Sequence, residues 1–280
     1  MDYPAVYTGH LSETIQISQN VFFRMGNLPV RDQCNAGIVV GTQGILLIDL
    51  PAQDPEEEIL EEAEGFFGKK VTHILLTHAH PDHRNGLAML RRRAVTLVST
   101  AAGKSGVERS SPDFRAESWQ VVGTGDRWMF EDTAFRFWCP AALPAHSPWD
   151  LCAVLPEERL IFTGDFLVPP FYLYTHGSNW KNWHAAVQDF RQTFCGALLL
   201  MGHGDPQAQE ALLPVVEGYL SRLGKLSEDY APGRLEALWG GPASDFPEDM
   251  KRLVQLTGQE TVRRQLREIQ EMSALAVPRR

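Results

Sequence analysis

The sequence predicts an α/β sandwich, two mixed β-sheets with helices packed outside. Three observations carry this. Short β-rich runs punctuated by Gly and Asn open the chain at 13–24, 36–41 and 44–49. Apolar strands then alternate with helical patterns up to AVTLVS. A second strand-rich stretch follows, and after it helix, strand and helices again.

In order, Thr42-Gln43 reads as a hairpin turn between two strands. Asp54 caps the next helix, with Pro55 in its first position and acidic residues in its first turn. VTHILLT, 71–77, is a nearly continuous apolar strand of the kind buried on both faces. Residues 82–93 read as a helix ending in Arg91-Arg92-Arg93, where cations suit the dipole and face solvent. AVTLVS is a strand, and 104–118 a helix of weak pattern. RWMF and AFRFWC follow the turn at Gly125-Asp126, and LCAVLP pairs with RLIFTG. A helix over 179–193 carries Trp183, Val187 and Phe190 on one face. ALLLMG is an apolar strand, and helices dominate from 207, with a Gly/Pro-rich break at 232–247.

At 280 residues the chain can hold one large domain or two ordinary ones. We expect a core over 1–206 and a helical extension packed on it over 207–280. Apolar residues at 44% and charged residues at 22% fit a soluble globular protein. A net charge of −9 lacks the footprint of a nucleic-acid binder. The N-terminus shows neither a basic region nor an apolar core of a signal peptide. No apolar run reaches the roughly 18 residues that span a bilayer. Cys34, Cys139, Cys152 and Cys195 are scattered and read as free thiols, so a cytoplasmic location is expected.

The chemistry concentrates in THAHPDHRNG, residues 77–86. Imidazoles and a carboxylate suit zinc, and also iron or manganese. In an extended segment His78 and His80 point the same way and can converge on one ion. Asp82 and His83, at the start of a helix, face elsewhere. The spacing therefore argues for two neighbouring ions, with further ligands supplied by other segments. His146 lies in a Pro-rich loop, and Asp165 and His203 each end an apolar strand closed by Gly. Strand ends on one sheet edge meet in a crevice, the usual place for a site in such sheets. His73, inside VTHILLT, reads as a core histidine or as a group bracing a ligand.

With HAHPDH as H-x-H-x-D-H, and with His146, Asp165 and His203 in order, the sequence resembles the metallo-β-lactamase superfamily of metallohydrolases. The resemblance covers about 20–205. It implies an αββα sandwich, with the C-terminal helices as an addition. It also implies two zinc ions, with iron or manganese as alternatives. His78, His80 and His146 would hold one ion and Asp82, His83 and His203 the other, with Asp165 bridging both opposite a shared hydroxide. Asp82 and Asp165 are then the catalytic carboxylates. The implied activity is hydrolysis of a small ester, lactone, thioester or amide.

Departures narrow this. Asp165 stands where zinc β-lactamases of the family usually carry Cys or Ser, which weighs against a β-lactamase role without excluding it. His80 stands where flavodiiron relatives carry an acidic residue. Only about 38 residues separate Asp165 from His203, too few for the domain that nucleic-acid-processing relatives insert. The competing readings are a mono-iron persulfide dioxygenase and a non-catalytic metal-binding module. Tyr172, Tyr174 and His176, in the aromatic segment after Asp165, are candidate substrate contacts, as is Arg84, an anion anchor or a solvated charge. The expected partner is a small molecule rather than nucleic acid or membrane. The amphipathic C-terminal helices offer a homodimer surface.

Overall fold

A computed structural model of the chain describes residues 6–7, 14–26, 34–51, 59–90, 93–111, 116 and 118–275. The chain divides into two compact units, and the division is not a single cut along the sequence. The first contains the described part of Met1–Cys139, with Trp149–Asp165 and Ala197–Gln207. The second contains Pro140–Pro148, Phe166–Gly196 and the described part of Ala208–Arg280.

In the first unit, β1 (Val6–Tyr7), β2 (Thr14–Gln16), β3 (Val21–Arg24), β4 (Ala36–Val40) and β5 (Gly44–Ile48) form an antiparallel series. The chain then runs through α1 (Ile59–Phe67), β6 (Lys70–Leu75), α2 (Pro81–Arg84), β7 (Thr96–Ser99), α3 (Ala101–Ser110) and β8 (Ser118–Val121). Strands β5 to β8 are parallel, which completes an eight-stranded mixed sheet in sequence order. The second sheet contains β9 (Arg127–Phe130), β10 (Thr133–Trp138), β11 (Cys152–Leu155), β12 (Leu160–Gly164), β13 (Leu198–Met201) and β14 (Gln207–Ala208). It too is mixed, because β12 and β13 are parallel. The 3.6-residue and 2-residue periods bury their predicted faces. Phe23, Val39, Leu46 and Ile48 meet Phe130, Phe135, Phe137 and Phe162 in a core between the sheets. Ile38, Ile45, Leu47 and Leu97 face the other way, onto Ile59, Leu60 and Val107 of the helices.

The hairpin at Thr42-Gln43 forms, closed by Gly41 N donating to Gly44 O at 2.9 Å. Three expectations for this unit need correction. The helix expected over 82–93 is one short turn, α2, followed by a 3-10 segment, Asn85–Leu90. Gly86 explains this, because its amide bonds Leu50 O at 3.1 Å and an added Cβ would lie 2.5 Å from Leu50 Cγ. The chain must pass tightly there and cannot continue a regular helix. The weak helix at 104–118 is α3, shifted towards the N-terminus, and Ser118–Val121 is a strand. That strand alternates, with Trp119 half-buried against the core, but its four residues are too few to stand apart from the helical pattern before them. Arg93 is not a solvated end, because it pairs with Glu64 at 2.8 Å. Asp54, Pro55, Arg91 and Arg92 lie outside the described residues.

In the second unit, α4 (Trp180–Thr193) is capped by Asn179, whose Oδ1 accepts from Lys181 N and Asn182 N. Trp183, Val187 and Phe190 are buried as expected. Helices α5 (Gln209–Asp229), α6 (Pro232–Trp239), α7 (Glu248–Thr257) and α8 (Gln259–Leu275) follow. The break expected at 232–247 thus contains a helix, started by Pro232 in its first position. Helix α8 braces the segment after Val168. Gln265 Nε2 donates to Leu173 O at 2.8 Å and Pro170 O at 3.2 Å, and Gln265 Oε1 accepts from Tyr219 at 2.7 Å. Glu268 accepts from Thr175 N at 3.0 Å. Among the described residues no helix is long and apolar enough to cross a membrane.

Candidate metal centre

The site grows from strand ends of the first unit. Strand β6 delivers Thr77, His78 and His80, and Pro81 starts α2, which carries Asp82 and His83. Asp165 follows β12 and His203 follows β13. Asp82, His83, Asp165 and His203 each offer a ligand atom, all within 4.8 Å of one another. His83 Nε2 lies 3.2 Å from Asp165 Oδ1 and 3.5 Å from Asp82 Oδ2. His203 Nε2 lies 3.0 Å from Asp82 Oδ2 and 3.5 Å from Asp165 Oδ2. Among the described residues the buried His83 Nε2 has no hydrogen-bond partner. Two imidazoles and two carboxylates converging on one point, with a buried nitrogen aimed into it, fit a metal ion.

His78 and His80 stand beside this group. His78 Nε2 is 3.1 Å from His80 Nδ1, and the His78 and His83 ring centroids are 4.0 Å apart. His146 belongs to the second unit, where it is buried with its ring edge-on to Trp183. Tyr172, Tyr174 and His176 are in the second unit as well. Tyr174 and His176 are exposed, with ring centroids 6.0 Å apart. Arg84 is engaged inside the protein rather than free in solvent. Its Nε donates to Ala79 O at 2.9 Å and its Nη1 to Ser111 Oγ at 2.8 Å, which braces the motif against the end of α3. His73 is half-buried, with its ring packed near those of Phe130 and Trp128.

Several supports were not predicted. Asp49 ends β5 with a left-handed φ of 61°. Its Oδ1 accepts from Thr77 N at 2.8 Å, and its Oδ2 accepts from Thr77 Oγ1 at 2.7 Å and His83 Nδ1 at 2.8 Å. With Nδ1 donating to Asp49, Nε2, which faces Asp165, is the nitrogen a metal would take on displacing the second imidazole proton. Asn35 holds the turn that carries His203, with its amide donating to Gly202 O at 2.7 Å and its Nδ2 to Met201 O and Gly204 O. Gly202 is where nothing larger fits, because a Cβ would sit 2.1 Å from Asp165 Oδ1.

The electrostatics match the donor set. Burial pushes His80 below the usual imidazole value, so it is a neutral donor. Burial alone would raise the Asp165 carboxyl, but the charges of His203 and His83 hold it well below the usual range. Burial opposes a proton on His203, yet Asp165 and the hydrogen bond to Asp82 win and raise it to about 9. A cation bound here must displace that proton. Below about 9 the His203 proton competes, and His83 is likewise held well above the usual imidazole value, so affinity at this group should rise with pH through neutrality and up to about 9. Calorimetry at pH 7 in buffers of different ionisation enthalpy should show proton release on metal binding. Identical heats after dilution correction would contradict it.

Residues 29–203, more than half of the chain, match the model of the metallo-β-lactamase superfamily. The chain belongs to that superfamily. Among solved structures, the metallo-β-lactamase from Pontibacter korlensis superposes with a TM-score of 0.65 at 20% identity, over 75% of this chain and 98% of that one. The fold is therefore the metallo-β-lactamase one, two mixed sheets with flanking helices, and this chain adds C-terminal helices. An atrochrysone carboxyl ACP thioesterase of Cryptosporiopsis sp. is 28% identical over 66% of this chain and 54% of its own length. A hydroxyacylglutathione hydrolase of Rhizobium meliloti is 32% identical over 43% of this chain and 41% of its own. A metallo-β-lactamase type 2 of Bacillus cereus is 31% identical over 39% and 46% respectively. The chain thus spans about half the length of these relatives.

Proposed function

We propose that this superfamily member is a dinuclear zinc hydrolase acting on the carbonyl of a small ester, lactone, thioester or amide. The observation that carries this is the convergence of Asp82, His83, Asp165 and His203 on one point beside His78 and His80. Relatives named as a thioesterase and a hydroxyacylglutathione hydrolase support the substrate class. His78 and His80, with His146 from the motif order, would hold one ion. Asp82, His83 and His203 would hold the second, and Asp165 would serve both. When bound, the metals supply Lewis acidity, bringing water towards deprotonation at neutral pH and polarising a carbonyl.

The chain's own residues prepare that chemistry. Asp49 sets the tautomer of His83 by accepting its Nδ1 proton. Thr77, held at two atoms by Asp49, lies 3.1 Å from His78 Nδ1 through its hydroxyl and so fixes the start of the motif. Burial alone would raise the Asp82 carboxyl, but His83 and His203 hold it below the usual range, so it stays an anionic ligand candidate with Oδ2 3.0 Å from His203 Nε2.

The test is turnover of an ester, lactone, thioester and β-lactam panel by the zinc-loaded chain, with Asp165→Ala alongside. Asp165→Ala should lose more than the about 10–100-fold typical of a residue one step removed from the metal. Full turnover by a metal-loaded Asp165→Ala would sink the mechanism. One iron per chain with oxygen uptake on a persulfide would replace it by the dioxygenase reading.

A further inference from the structure

His83 is held by Asp49 and His78 by Thr77, while His80, whose Nδ1 lies 3.1 Å from His78 Nε2, also meets two rings. It is only partly buried. His78 meets it at a centroid distance of 4.7 Å and an angle of 82°. Trp149 meets it at 5.7 Å and 88°, an edge-to-face pair. The torsion that turns an imidazole about its Cβ–Cγ bond is soft, so neighbouring groups must set it.

The fold makes a dedicated seat for this indole. Gly106 lies inside α3, where glycine costs helix stability relative to alanine. An added Cβ there would lie 2.8 Å from Trp149 Nε1, 2.9 Å from its Cε2 and 2.9 Å from Ala79 Cβ. Ala79 is the residue between His78 and His80, and its carbonyl is the one that Arg84 Nε grips. Glycine in α3, alanine in the motif and the Arg84 brace thus together leave a notch that the indole fills. Trp149 keeps a partly exposed surface beside His80.

We propose that Trp149 is a positioning residue for His80, helping to hold the ring at the angle from which it donates to a metal. This rests on the reading of His80 as a ligand. Trp149 carries no ligand atom itself; it acts on metal affinity through His80, and Gly106 acts through Trp149.

The experiment uses the full chain and titrates Zn²⁺ against a chromophoric chelator for wild type, Trp149→Ala, Trp149→Phe, Gly106→Ala and His80→Ala. Histidine ring resonances are recorded before metal is added. His80→Ala identifies the metal that His80 holds. Trp149→Ala should weaken that same metal about 10–100-fold, leave the other unchanged and move the His80 ring resonance in the metal-free chain. Trp149→Phe, which keeps an aromatic edge, should recover part of the loss. Gly106→Ala should reproduce the loss with Trp149 intact, although alanine favours the helix. The proposal is overturned if Trp149→Ala leaves that affinity unchanged, or if it weakens both metals equally. If His80→Ala itself changes neither affinity, the ligand assignment fails first, and the proposal with it.

Discussion

Gly202→Ala is expected to lose metal at the Asp82, His83, Asp165 and His203 group more severely than any other single methyl addition described here. The new Cβ would lie 2.1 Å from Asp165 Oδ1, 2.6 Å from His83 Cε1 and 3.2 Å from Gly164 C. Backbone movement cannot relieve this cheaply. Gly202 N donates to Gly164 O at 2.9 Å, and Gly202 O accepts from Asn35 N at 2.7 Å. The carboxylate and the imidazole must therefore give way, and both are ligand candidates. Overpacking of this kind typically costs about 1–3 kcal/mol of stability. The displaced ligands should cost more than about 100-fold in metal affinity, beyond what removal of an outer partner does. Metal content after dialysis and a melting curve measure the two effects. A variant that keeps wild-type metal content would refute the steric argument.

Asp49→Asn is expected to weaken the same metal about 10–100-fold and to destabilise the fold by about 1–3 kcal/mol. Asparagine tolerates the left-handed backbone at φ 61°, so the substitution isolates the side chain. It can still accept from Thr77 N. Where Oδ2 accepts from Thr77 Oγ1 and His83 Nδ1, it presents an amide donor to two donors. The relief available to His83 is to move its proton to Nε2, the nitrogen that faces Asp165. Chelator competition gives the affinity, and nitrogen resonances of the His83 ring give the tautomer. An unchanged tautomer with unchanged affinity would show that Asp49 does not govern His83.

The ligand candidates are legible in the sequence because each is a distinctive residue type at the end of an apolar strand. The groups that orient them are not. Asp49 reaches Thr77 and His83 across the parallel pair β5 and β6, and Asn35 reaches Met201 and Gly204 across most of the chain. Such bonds join an ordinary Asp or Asn to partners that no local pattern indicates. Gly202 reads as a strand terminator, while its necessity comes from Asp165 and His83 arriving from elsewhere. Arg84 is ambiguous as a letter after the motif, and only the fold supplies Ser111 as its partner. Strands with strong alternation, such as β10, or with a continuous apolar run, such as β12, are readable. Strand β8, four residues long with only Trp119 half-buried, is not.

Elemental analysis of the full chain, purified and dialysed against trace zinc, tests the proposed dinuclear centre most directly. Two zinc ions per chain are expected in the wild type, and fewer in His80→Ala and in His203→Ala. A wild-type chain that retains no metal, or single variants that retain both ions, would contradict the centre proposed for these residues.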